Sequence, residues 1–104
     1  LCTPGTKANV NDKEVDDCIN SDALALPSNQ WIKAEIIVED SKNIKHIING
    51  KTVLTASNPT EDTTHKHYMR PNAVDGKLIK EGFIAIQAEG SELELRNFLI
   101  KELP

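Results

Sequence analysis

Basic stripes, aromatic residues and long apolar runs are all scarce or missing in this chain of 104 residues. No apolar run approaches the roughly 20 residues that a membrane-spanning helix needs, and no signal-peptide core is present. The chain has 12 Lys and Arg against 16 Asp and Glu, with the lysines scattered, so it offers no basic stripe to a phosphate backbone. We therefore expect no membrane span and no nucleic-acid partner.

The scarcity of aromatic residues also bears on the domain organisation. A chain of this length is one domain at most, and 38% hydrophobic with 27% charged residues is typical of a soluble globular protein. Aromatic residues, at 4%, are few for an independent all-β core, which usually relies on them. We expect residues 1–104 to form a single unit that is part of a larger domain.

Only two cysteines occur, Cys2 and Cys18, and they flank a polar loop within residues 1–29. No CxxC motif and no nearby histidine accompany them, which disfavours a zinc site. A disulfide would stabilise this loop region by about 3 kcal/mol in the chain-entropy model, whereas the alternative is two unrelated buried thiols. We favour the disulfide because free thiols would be exposed in such polar sequence, and it indicates a secreted, periplasmic or cell-surface location.

The rest of the chain, residues 30–104, has the alternating pattern of β-strands. A first strand is predicted at Trp31–Val38, with its even-numbered residues facing the core. Strands at Ile44–Ile48 and Lys51–Ala56 flank Asn49 and Gly50, the pair that favours a two-residue type I′ turn. This β-hairpin is the strongest local structural prediction.

The alternation stops in a long loop at residues 58–81, which is either functional or ordered by a short helix at Val74–Lys80. Two further strands are predicted at Gly82–Ala88 and Glu92–Leu103, with a bulge near Arg96. Antiparallel strands joined by hairpins, without a long helix, predict an all-β sandwich or jelly roll.

Polar side chains inside apolar strands are the first candidate site residues, because each must face water, be hydrogen-bonded in the core or line a site. His46 either acts as an acid, base or sugar ligand, or covers the sheet as a structural residue. Gln87 is either a sugar-binding amide or an ordinary solvent-facing side chain. Arg96 either pairs with a strand carboxylate, such as Glu35, Glu89 or Glu94, or clamps a ligand.

The loop around residues 64–70 holds a second cluster of polar groups. His65 and His67 point the same way if extended, and with Asp62 they are candidate ligands for a divalent metal. Two histidines are a weak signal, so an ordinary surface loop is the favoured interpretation and we assign no metal ligand. Tyr68 and Arg70 are candidates for the rim of a glycan cleft.

Four segments follow one another along the chain: Trp31 with its following strand, Ile44–Leu54, Gly82–Gly90, and Leu95–Ile100, which closes on Glu102 and Leu103. Their order and spacing resemble the C-terminal half of the DUF1080 family, described as 3-keto-disaccharide hydrolases. The stretch from Cys2 to Cys18 is also similar to members from the Bacteroidetes and related bacteria. The resemblance implies a concanavalin A-like jelly roll in secreted bacterial proteins that act on glycans or modified glycosides.

Family members are usually much longer, so the resemblance implies that this chain supplies about half of the sandwich. The apolar faces would then lack a facing sheet at six residues: Ile36, Val38, Ile84, Ile86, Leu93 and Leu95. We expect a second chain or an N-terminal fragment to complete the sandwich.

The resemblance also suggests a chemistry. The strand and turn carboxylates do not form the ExDxxE signature of retaining jelly-roll glycosidases, whereas a 3-keto sugar permits elimination by a base. We assign His46 as that base, with a group or metal polarising the ketone, and Gln87, Glu89, Arg96 and Tyr68 as substrate-binding residues. The alternative is a non-catalytic carbohydrate-binding or surface interaction domain on the same fold.

Overall fold

The computed structural model describes residues 1–3, 5–66 and 70–104. It contains one antiparallel sheet of five strands in the order β2-β1-β5-β4-β3. The strands are β1 (Thr6–Val10), β2 (Lys13–Val15), β3 (Ala34–Glu39), β4 (Asn43–Ile48) and β5 (Lys51–Glu61). The described residues form no helix, and hence none that could cross a membrane. The predicted all-β class is confirmed, and the single sheet is consistent with a fragment of a β-sandwich or jelly roll.

The predicted hairpin at Asn49 and Gly50 is confirmed. Their φ angles of 47° and 83° are the positive values that a type I′ turn requires, and Ile48 pairs with Lys51 on either side. The Asn49 N–H donates to the Lys33 carbonyl (2.8 Å), and its Oδ1 accepts from the Lys33 N–H (3.0 Å). The turn therefore fixes Lys33, the residue directly before β3. This strand begins at Ala34 rather than at the predicted Trp31.

The N-terminal region contains more sheet than the sequence suggested. β1 and β2 form a hairpin across Asn11 and Asp12, with φ angles of 50° and 62°. β1 also pairs with β5, which places Val10 opposite Ala56. The sequence predicts loop with short extended pieces for residues 1–29, and two such pieces form β1 and β2 because burial of Val10 (2% exposed) makes docking of β1 favourable.

The core lies under this N-terminal region. Val10, Leu54 and Ala56 are buried, and partly buried side chains pack on them, including Leu1 and Ile19. The predicted disulfide between Cys2 and Cys18 is present, with a Cα–Cα distance of 4.0 Å. Because it joins the segments that carry Leu1 and Ile19, the disulfide holds these two side chains over the core.

Side chains on the apolar face of the sheet become more exposed to solvent from β1 towards β3. One cross-strand row runs from Val10 through Ala56 and Ile44 to Val38, and residues in register share a face. Val10 is 2% exposed, whereas Val38 is 55% exposed. Five further apolar residues that were expected to lack a facing sheet are also 50% to 67% exposed: Ile36, Ile84, Ile86, Leu93 and Leu95.

The C-terminal segment does not form the predicted strands. Gly82–Ala88 and Glu92–Leu103 contain no strand, and no backbone hydrogen bond between described residues involves residues 80–104. Positive φ angles do occur at Gly90 (71°), between the two predicted strands, and at Asn97 (54°), beside the predicted bulge near Arg96. The strand prediction was wrong for the described residues, because a strand requires a hydrogen-bonded neighbour and none of these residues pairs with the segment. The short helix predicted at Val74–Lys80 is also absent.

Candidate functional site

His46 lies in β4, in the middle of the apolar face. Its register partners are Ile36 in β3 and Leu54 in β5, so the three side chains share one face of the sheet. Leu54 is 5% exposed and Ile36 is 63% exposed. The imidazole therefore lies at the boundary between the covered and the uncovered parts of this face.

Partial burial affects the protonation of His46. Desolvation lowers the pKa of His46 below its usual 6.5, with a smaller contribution from the positive charge of the amino terminus at Leu1. A lowered pKa leaves the ring neutral at pH 7. A neutral imidazole has a free nitrogen lone pair, which is the property that a general base needs.

A β-bulge occurs directly opposite His46. His46 pairs with Leu54 and Ile47 pairs with Thr52, so Val53 is an extra residue in β5. The Val53 carbonyl accepts a hydrogen bond from the Asp22 N–H (3.1 Å), which satisfies it outside the ladder. Bulges are over-represented beside active sites, where they redirect side chains.

The substrate-binding candidates of the C-terminal segment form two separate pairs. The Gln87 Nε2 donates to Glu89 Oε2 (3.0 Å), and both side chains are exposed. The Arg96 guanidinium lies 4.1 Å from the centroid of the Trp31 ring, a cation–π contact rather than the predicted carboxylate pair. No hydrogen bond or ion pair of the described residues joins either pair to His46.

The candidate metal loop is only partly described, because His67 and Tyr68 lie outside the described residues. The His65 Nε2 lies 4.0 Å from Asp17 Oδ2, and Asp62 is 1% exposed. The Thr64 hydroxyl (2.6 Å) and N–H (3.0 Å) donate to Asp62 Oδ1 and lower the pKa of that carboxyl. Within the described ranges, which leave out His67, no three His, Cys, Asp or Glu side chains are arranged to hold a metal ion.

The predicted loop at residues 58–81 is folded against the end of β5. Thr60 bridges to Leu78, and the Ile79 N–H donates to the Pro59 carbonyl (2.7 Å). This arrangement encloses a cleft of about 220 Å³. The cleft is lined by Glu61, Arg70, Lys77, Ile79, Lys80 and Glu81.

Glu61 anchors this cleft. It is 7% exposed, its Oε1 lies 3.0 Å from Arg70 Nη1, and its Oε2 accepts from the Val74 N–H (2.7 Å). Arg70 lines this cleft, and its predicted place at the rim of a glycan cleft stays a prediction. Sequence reasoning missed Glu61, although two successive acids just before the histidine loop were a signal.

Trp31 was also missed as a partner for Arg96. It is the single tryptophan of the chain and is 50% exposed. The two residues are far apart in sequence, so no local pattern could have paired them. Their contact joins the C-terminal segment to the residues that precede β3.

Comparison with known families confirms the resemblance noted from the sequence. A model of the 3-keto-alpha-glucoside-1,2-lyase-like domain matches residues 5–101. Comparisons with curated proteins and with solved structures gave no match. The matched range covers nearly all of the 104 residues, including the five strands and the C-terminal segment. The chain therefore belongs to the family of 3-keto-alpha-glucoside-1,2-lyase-like domains.

Proposed function

We propose that this chain is part of a carbohydrate-active enzyme that cleaves the glycosidic bond of a 3-keto-α-glucoside by elimination. The observation that carries the proposal is the family match over residues 5–101. The disulfide between Cys2 and Cys18 agrees with a secreted, periplasmic or cell-surface site of action.

The chemistry follows from the ketone at C3 of the sugar. The carbonyl acidifies the neighbouring C2–H, so a base can remove that proton. The released electron pair forms a C1=C2 double bond, the bond from C1 to the glycosidic oxygen breaks, and that oxygen takes up a proton. Addition of water to the double bond then gives overall hydrolysis.

His46 is the proposed base. Its lowered pKa keeps the imidazole neutral, and it lies beside Ile36 at the edge of the covered part of the sheet. The bulge at Val53 is a further feature that is frequent near active sites. Gln87, Glu89, Arg96 and Tyr68 remain the proposed sugar-binding residues, since amide, carboxylate, guanidinium and phenol groups can satisfy sugar hydroxyls.

The complete site also requires further strands. The six apolar residues that were expected to lack a facing sheet are at least half exposed. Residues 80–104 also lack backbone hydrogen bonds to described residues. We propose that strands from a second chain, or from another segment of the same protein, pair with residues 82–103. Their apolar faces would cover Ile36 and Val38 and close the site around His46.

The test is turnover by the protein that contains this chain. A 3-keto-α-glucoside and its unoxidised counterpart are supplied in parallel, and the conjugated enone product is followed by its ultraviolet absorbance. We expect turnover of the keto sugar alone, and a loss of about 10²- to 10⁴-fold in kcat for His46→Gln. Lys45→Gln is the matched control, because Lys45 precedes His46 in β4 and lies on the opposite face.

The non-catalytic alternative gives a different result. Binding of the glycoside without turnover, unaffected by His46→Gln, would favour a carbohydrate-binding domain. Circular dichroism of each variant separates loss of the base from loss of the fold.

A further inference from the structure

We propose that the cleft between the end of β5 and residues 70–81 binds a small anionic ligand of monosaccharide size, such as a sugar carboxylate or a sugar phosphate. Three cationic side chains line the cleft: Arg70, Lys77 and Lys80. They face only two carboxylates, Glu61 and Glu81. A positive cleft stands out in a chain whose net charge is −4.

The residues that line the cleft carry one more positive than negative charge. Glu61 is already engaged by Arg70 and by the Val74 N–H. The ammonium groups of Lys77 and Lys80 form no hydrogen bond or ion pair with any described residue. Two ammonium groups are therefore available to a ligand, against the single carboxylate of Glu81.

The backbone around Lys77 is held in place as far as Ile79, which directly precedes Lys80. The Glu61 N–H donates to the Lys77 carbonyl (2.9 Å), and the Gly76 N–H donates to the Glu61 carbonyl (2.8 Å). On the other side of Lys77, the Ile79 N–H is bonded to Pro59, and the Ser41 hydroxyl donates to the Ile79 carbonyl (2.9 Å). A fixed backbone lowers the entropic cost of binding, so at Lys77 only the side chain needs to be ordered.

The size of the cleft limits the ligand. A volume of about 220 Å³ is below the roughly 300–1,000 Å³ of sites for drug-sized molecules, which favours a single sugar unit or a smaller ion. Ammonium and guanidinium groups form charge-assisted hydrogen bonds to both carboxylates and phosphates. The shared chemistry is a negative charge on a small polar scaffold.

The cleft is separate from the site proposed around His46. His46 pairs with Leu54, and Glu61 follows seven residues further along β5. At a rise of about 3.3 Å per residue, the two positions are roughly 23 Å apart. The cleft therefore goes beyond the proposed elimination site, and its occupancy does not depend on that activity.

Calorimetric titration of the protein that contains this chain tests the inference. The probes are glucuronate, glucose 6-phosphate and neutral glucose, each at low and at high salt. We expect an anionic sugar to bind, glucose to bind at least tenfold more weakly, and salt to weaken the binding of the anion. Preference for glucuronate or for the phosphate would identify the anion, and either would support the proposal.

Charge-removing variants locate the site. Lys77→Gln and Lys80→Gln should each weaken the binding of the anion roughly three- to tenfold, and the double variant should weaken it further. Lys51→Gln is the matched control, because Lys51 is also exposed but lies at the opposite end of β5. Equal binding of glucose, no effect of either cleft variant, or an equal effect of Lys51→Gln would overturn the proposal. Elimination activity is not needed for any of these measurements.

Discussion

Loss of the disulfide between Cys2 and Cys18 is expected to destabilise the fold by about 3 kcal/mol. The bond joins residues 16 positions apart, and the chain-entropy model gives that value for a loop of this length. The hydrogen bond from the Ile19 N–H to the Leu1 carbonyl (2.8 Å) does not depend on the sulfur atoms. We therefore expect the native packing to survive, so that the effect comes mainly from the larger freedom of the unfolded chain.

The assay is urea and thermal denaturation of a Cys2→Ala/Cys18→Ala double variant, followed by far-ultraviolet circular dichroism. A loss of about 3 kcal/mol corresponds to a decrease in Tm of roughly 12–24 °C for a domain of this size. The wild-type protein in reductant is the control and should match the double variant. A loss below about 1 kcal/mol would refute the reasoning, as would a clear difference between the reduced protein and the variant.

Three further predictions concern single residues. Gly50→Ala should cost about 1 kcal/mol in denaturant titrations, because φ is 83° while no atom lies within 4 Å of the added Cβ; an unchanged midpoint would contradict this. Glu61→Gln should lower the free energy of unfolding by only about 1 kcal/mol, because its partner Arg70 is largely exposed. The substitution should also speed amide hydrogen exchange in residues 70–79, since Glu61 contacts both Arg70 and the Val74 N–H. Unchanged exchange would show that Glu61 does not hold this segment in place. The hydrogen bonds from Thr64 lower the pKa of Asp62. The ionised carboxylate therefore stabilises the fold above pH 3.8, and this stabilisation is lost as the pH falls through the folded-state pKa. Denaturation measured across this pH range should show that Asp62→Asn removes this part of the pH dependence of stability.

Local turn chemistry made part of the fold predictable. Asn49 and Gly50 specify their turn by themselves, because both adopt positive φ at little cost, and the structure places the hairpin there. The extension of β5 to Glu61 and the docking of β1 depend on burial of Val10 against Leu54 and Ala56. Such packing between distant segments has no local signature.

The C-terminal segment shows the opposite case. Its alternating residues have strand propensity, yet propensity describes how well a side chain fits a pleated surface beside neighbours. Ile84 and Leu95 remain 67% and 57% exposed, and the segment forms no strand. Alternation identifies the residues that suit a strand, whereas pairing also requires a hydrogen-bonded neighbour, which no described residue provides here.

Candidate site residues were predictable as individual residues but not as pairs. His46 was identified because a polar residue between Ile44 and Ile48 requires an explanation, and it does lie on the apolar face. The contact of Arg96 with Trp31 crosses 65 positions of sequence, and no spacing rule connects them. Residue type therefore identified candidates for a site, whereas the tertiary structure determined which residues they contact.

The boundary position of His46 links the proposed base to the proposed missing layer. On one side its neighbour Leu54 is buried, and on the other side Ile36 is exposed. Any layer that covers Ile36 and Val38 also removes water from the imidazole, and desolvation is already the largest cause of its lowered pKa. Covering strands would therefore lower the pKa further and strengthen the preference for the neutral form. On this argument, the same strands that complete the hydrophobic core also prepare His46 to accept a proton.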